Sequence, residues 1–81
     1  MLFPRIFRRQ APKISKEQAR TIAQNECKLR QWPFEEPVNI RLTFVKRRWA
    51  IYTAADSTGG NVWMYIDANT GQVLSAGFAP R

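Results

Sequence analysis

An α+β domain, one N-terminal helix packed on a four-stranded antiparallel meander, follows from three features of the sequence. A capped segment with apolar residues at helical spacing comes first, four short strand-like segments follow, and polar turn residues separate them. The 81 residues make a single domain, because a second core would need roughly 50 more residues of its own. With 44% apolar and 12% aromatic residues the chain can build that core, and 23% charged residues is ordinary for a folded protein.

Ser15-Lys16-Glu17-Gln18 is a capping box, in which the Ser15 hydroxyl accepts from the Gln18 amide and the Gln18 side chain returns to the cap. Ile14 precedes it as a staple onto Ala19. Ala19, Ile22, Ala23 and Cys27 form one apolar stripe, which places a helix at about 16–30; Trp32-Pro33 and Glu36-Pro37 end it. Val38, Ile40, Leu42 and Phe44 alternate with polar residues and predict the first strand. Trp49–Thr53 is the second. With Lys46-Arg47 at a tight tip, Phe44 faces Trp49, Leu42 faces Ile51 and Ile40 faces Thr53; the dipeptide lacks Asn-Gly chemistry, so a slightly longer loop is the alternative. Asp56–Asn61 is a polar, glycine-bearing loop, Val62–Ile66 the third strand, Asp67–Gly71 a turn in which Asn and Gly suit positive φ, and Gln72–Ala76 the fourth strand. The predicted core is Ile14, the helix stripe, Val38, Ile40, Leu42, Phe44, Trp49, Ile51, Val62, Met64 and Ile66.

Charge is the next feature. Thirteen Lys and Arg against six Asp and Glu give +7 and a pI near 10.6, compatible with nucleic acid, anionic membrane or acidic protein partners. Residues 1–13 carry four of these charges, Arg5, Arg8, Arg9 and Lys13, with two prolines and no acid, and read as a flexible basic arm ahead of a domain at 14–81. Residues 14–81 hold nine basic and six acidic side chains, a net of +3. The arm lacks the apolar run of a secretory signal, and no stretch approaches the ~20 apolar residues of a membrane span. A cytoplasmic location is the default, and it suits the single cysteine, Cys27.

The residues argue against an enzyme. There is no histidine to act as base, Glu35 and Glu36 lie in a solvated loop between prolines, and Asp56 and Asp67 sit beside turn glycines. Two isolated carboxylates fall short of the oxygen set calcium needs, Cys27 lies on the apolar stripe with no base to activate it, and Gly59-Gly60 lacks the Lys-Ser/Thr of a phosphate loop. No catalytic residue, metal site or cofactor is expected. A burial of Glu35 and Glu36 together would reopen the question.

Binding is what remains. The sheet face opposite the helix carries Arg41, Thr43, Tyr52, Trp63 and Tyr65, with no second helix to cover it, and aromatics beside arginine are the composition of a protein interface. Candidate partner-binding residues are Arg41, Tyr52, Trp63 and Tyr65 with the basic edge Lys46, Arg47 and Arg48. The competing arrangement has the arm fold back so that Phe3 and Phe7 cover these rings. In the alternative function, Arg5, Arg8, Arg9, Lys13, Lys46, Arg47 and Arg48 contact phosphates of nucleic acid. An exposed third or fourth edge strand is also open to pairing with a second copy.

The order of the pieces resembles the PepSY family, over about residues 14–76. The resemblance rests on the helix start Ile14-Ser15-Lys16-Glu17-Gln18-Ala19-Arg20-Thr21-Ile22-Ala23, the tryptophan-led strand Trp49-Ala50-Ile51-Tyr52, and the turn Ile66-Asp67-Ala68-Asn69-Thr70-Gly71-Gln72-Val73-Leu74. It implies an α+β domain with a non-catalytic role, since PepSY domains occur in propeptides of thermolysin-like metallopeptidases and in secreted or membrane proteins, where they are thought to inhibit or regulate proteases. The chain shows no signal peptide, attached peptidase or membrane span, and the family supplies no catalytic residues to carry over. The end of the chain, with its Gly59-Gly60 loop and Asp-x-x-Thr-Gly turn, also resembles small bacterial immunity proteins of the NTF2-like type, which implies a toxin as partner. The expectation is therefore a binding module acting on another protein, with a peptidase or a toxin as the partner these resemblances suggest.

Overall fold

The computed structural model describes residues 11–81; most of the predicted arm, with Arg5, Arg8 and Arg9 and the rings Phe3 and Phe7, lies outside the described residues. A helix, α1 (Lys16–Arg30), precedes β1 (Asn39–Thr43), β2 (Arg48–Tyr52), β3 (Asn61–Asp67) and β4 (Val73–Ala79). The strands form one antiparallel sheet in the order β1-β2-β3-β4. The fold is α+β, one helix on a four-stranded meander.

Local chemistry sets the ends of α1. The Gln18 amide donates to Ser15 Oγ at 3.0 Å and the Ser15 amide donates to Gln18 Oε1 at 2.7 Å, so both halves of the capping box form. Glu17 in the first turn and Lys28 and Arg30 in the last match the helix dipole. The helix stops where Gln31 turns left-handed, φ 61°, and its amide and that of Trp32 donate to the last-turn carbonyls of Lys28 and Cys27. The prolines lie beyond this stop; Glu36–Pro37 is a cis peptide.

The helix buries Ala19, Ala23 and Cys27 against Ile40, Trp49, Ile51, Val62, Met64, Ile66 and Ala68. Its contribution is close approach by small side chains, while the strands supply the bulk. Ile14, Ile22, Trp32, Phe34, Val38, Leu42, Val73 and Phe78 pack around this core half-buried. The predicted core thus lacked Trp32, Phe34, Ala68, Val73, Ala76 and Phe78, and it included Phe44, which is 61% exposed.

The register of the first hairpin explains Phe44. Leu42 pairs with Trp49 and Ile40 with Ile51, two residues away from the tight-tip expectation, so residues 44–47 form a four-residue loop. The shift conserves the buried face, because the side-chain period is two. Phe44 leaves the sheet and Arg48 enters it. Arg47 closes the loop at φ 51°, its carbonyl accepts from the Ala68 amide at 3.1 Å, and the Thr43 hydroxyl donates to the Arg48 carbonyl at 3.2 Å. Thr53, expected opposite Ile40, lies past β2, where its amide donates to the Val62 carbonyl at 2.9 Å.

The β3–β4 turn forms as read, with Gly71 rather than Asn69 taking the positive φ of 80°. β4 runs three residues further than expected, through Gly77-Phe78-Ala79. The free edges are β1 and β4, and β3 is interior, so only the fourth strand of the two named is open to pairing with another copy.

Candidate functional site

The face of the sheet away from α1 is built by the alternation that buries the other. Ile40, Trp49, Ile51, Met64 and Ile66 point at the helix, which turns Arg41, Arg48, Ala50, Tyr52, Trp63 and Tyr65 outward. Cross-strand pairing then groups them: Tyr52 lies opposite Trp63, and Ala50 lies between Arg41 and Tyr65. The small Ala50 leaves an open groove of about 610 Å³ beside Arg41, Tyr52, Trp63 and Tyr65, which Lys16 of α1 also lines.

Trp63 lies flat on the sheet because β4 presents Gly77 opposite it. A Cβ at residue 77 would sit 2.3 Å from Trp63 Cζ2 and 2.4 Å from Cε2, so only glycine lets the indole down. The ring stays 42% exposed and Tyr52 41%. Tyr65 follows at 6.5 Å between ring centroids with the planes tilted by 57°, and the Arg48 guanidinium covers it at 4.0 Å. Arg48 Nε is buried with no hydrogen-bond partner, and the guanidinium's contact with the ring face is worth about 0.5–2 kcal/mol.

The electrostatics of this face are one-sided. Arg41 is exposed beside the groove, and Asp67, across the strands from Arg48, turns its carboxylate into its own turn. Asp67 Oδ1 accepts from the Asn69 amide at 2.8 Å and the Thr70 amide at 2.9 Å, and these backbone donors lower its pKa.

The predicted binding residues therefore divide. Arg41, Arg48, Tyr52, Trp63 and Tyr65 share the outer face. Lys46 and Arg47 sit apart at the hairpin tip, and Lys13 lies where the chain enters the fold, next to Ile14, whose amide donates to the Ala68 carbonyl at 2.9 Å. Sequence reasoning missed Gly77, although a lone glycine inside an otherwise apolar segment is the usual mark of close approach. It also treated Arg48 as part of the tip, where alternation with Ala50 and Tyr52 along β2 makes it part of the face.

Other reactive groups are held in structural roles. Glu36 pairs with Arg20 at 2.8 Å and Glu35 with Arg81, so the two adjacent carboxylates diverge and stay partly exposed. Cys27 is buried, and burial together with the neighbouring Glu26 pushes its thiol pKa up, which keeps it protonated. Among the described residues no cluster of His, Cys, Asp or Glu could hold a metal ion, and no helix is long and apolar enough to cross a membrane.

No family model matches this chain, and neither the curated proteins nor the solved structures give a match.

Proposed function

We propose that this chain is a non-catalytic binding module that occupies a protein partner through the outer face of its sheet. The observation that carries the reading is the Trp63 indole laid on Gly77, with Tyr52 beside it and the Arg48–Tyr65 stack behind it, on a face that no described element covers. Flat, half-exposed aromatics held rigidly beside arginine lose little entropy on binding, which is why such residues dominate interface energetics. The partner surface that complements Arg41 and Arg48 is acidic around an apolar or proline-rich centre. The PepSY likeness over residues 14–76 supports a regulatory rather than catalytic role and makes a peptidase the first partner to try.

Titration of a purified partner, starting with a thermolysin-like metallopeptidase, tests the reading. Trp63→Ala is expected to weaken binding by about thirtyfold, the level of a hot-spot residue, with the thermal midpoint little changed. Gly77→Ala, which lifts the indole without removing it, is expected to weaken binding too. An unchanged Kd for both variants, with the fold intact, would remove the outer face from the function.

A further inference from the structure

The two open edges of the sheet differ in charge. β1 carries Arg41 at its centre, whereas residues 68–80, which include the whole of β4, hold no charged side chain in a chain of net charge +7. Edge strands ordinarily carry a lysine, a proline or a bulge that turns a second strand away. β4 has neither charge nor proline between Val73 and Ala79, and its one irregularity, the register shift opposite Tyr65 and Ile66, leaves residues 75–79 regular.

The backbone of β4 presents a template along that edge. The Val62 carbonyl accepts from the Thr53 amide, so Val62 and, by alternation, Met64 hydrogen-bond toward β2. Their partners on β4, Phe78 and Ala76, therefore turn their amides and carbonyls away from β3, to a side where no described strand lies. Side chains leave that approach open as well. Ser75, Gly77 and Ala79, opposite Tyr65, Trp63 and Asn61, are small, and α1 packs chiefly over β1 and β2. Ile22 of α1 lies against the β3–β4 turn, its Cδ1 3.1 Å from where a Cβ on Gly71 would sit, which puts Leu29, two turns on along the same flank and 80% exposed, on the β4 side of the helix.

We infer that β4 pairs antiparallel with β4 of a second copy about a two-fold axis perpendicular to the sheet near Ala76, joining two four-stranded sheets into one of eight strands. A two-fold interface brings each patch up to the same patch on its partner, so in a chain this basic the charge-free edge is the one that can meet itself without repulsion. The assembly closes at two copies, because each β1, with Arg41, becomes an outer edge where its charge discourages a further strand. Both helices then lie on one side of the joint sheet and both outer faces on the other. The two Trp63 rings, each seated on its own Gly77, flank a shelf of small β4 side chains, so the dimer presents two copies of the outer face on one surface. This goes beyond partner capture and does not depend on it.

Sedimentation velocity of the full chain over a dilution series tests the inference. A species of twice the 9.4 kDa chain mass is expected at the concentrated end, dissociating on dilution. Hydrogen exchange at the Ala76 and Phe78 amides is expected to be slow in the dimer and to recover on dilution, which dimerisation through the outer face or through Leu29 would not produce. Ser75→Lys, at an exposed position, sets cations against each other across the axis and should weaken the dimer by about tenfold, whereas Asn39→Lys on β1 should leave it unchanged. Circular dichroism checks that the variants fold, and Leu74→Lys, at a half-exposed position on the same strand, serves where Ser75→Lys does not. A monomer at every concentration would overturn the inference. So would a dimer kept in the β4 lysine variants and lost in Leu29→Ser or Trp63→Ala, or one whose Ala76 and Phe78 amides exchange as fast as in the monomer.

Discussion

The two ends of the sheet use unusual residues in opposite ways. At the end where α1 finishes, Asn61 is buried and fully engaged: its amide donates to the Thr53 carbonyl at 3.0 Å and the Ala54 carbonyl at 2.8 Å, and its oxygen accepts from the Gly59 amide at 2.9 Å. Thr53 is buried too, and its hydroxyl accepts from the Val62 amide at 2.9 Å. Trp32 meets Phe78 at 5.9 Å, the Arg30 guanidinium lies 4.9 Å from the Trp32 ring, and Arg81 pairs with Glu35. At the tip end, Phe44 and Val45 point outward. Polar groups turned inward at one end and apolar groups turned outward at the other both run against the hydrophobic pattern. The first is compensated inside the chain by hydrogen bonds, whereas at the second Val45 and Phe44 keep most of their surface in solvent, 90% and 61%.

Asn61→Ala should break the closed end and shows the largest effect. It strands buried carbonyls and the Gly59 amide, a loss of about 2 kcal/mol and of order 10 °C in Tm. Asn61→Asp keeps the acceptor and removes the donors, so it should be destabilising as well; thermal unfolding at neutral pH measures both. If Asn61→Ala costs no more than a tip substitution, the contrast between the ends fails.

Trp49→Phe probes a side-chain tie at the tip end. Trp49 Nε1 donates to the Ile14 carbonyl at 2.9 Å, and removing that bond while keeping an aromatic ring should lower stability by about 1 kcal/mol. Amide exchange should show the loss first near Ile14 and Ala68, where the entering chain is tied down.

The smallest effect is pH-dependent. The folded Asp67 carboxyl has a pKa below its ordinary value of 3.8, so its contribution to stability is present above that value and is lost as pH falls through the folded pKa. Melting of wild type and Asp67→Asn from about pH 6 to about pH 2 should show the wild-type advantage shrinking at the acid end. A constant difference would mean that the turn does not depend on the charge.

Much of the fold was legible from short range. The Ser15–Gln18 box, the Ala19–Cys27 stripe and the Asp67–Gly71 turn are each decided within a few residues, and their elements stand where the sequence put them. The outer-face residues followed from alternation alone, since any register that buries Ile40 and Ile51 exposes Arg41 and Tyr52. Loop length was not legible in the same way. Expelling Phe44 and pairing Leu42 with Trp49 preserves the same buried face as the tighter hairpin, so alternation cannot choose between them. The choice falls to the bracing of Arg47 by Ala68, a residue far along the chain.

By itself, then, the sequence determined the helix and its cap, the number and order of the strands, and which side chains share a face, because these depend on neighbours in the chain and on a period of two. Tertiary structure alone decided that Arg48 lies over Tyr65, that Gly77 lets Trp63 down onto the sheet, that Asn61 closes one end, and that Phe44 and Val45 project from the other. Each depends on a contact between strands, or between a strand and a loop, set by competition among packed surfaces that no local pattern encodes.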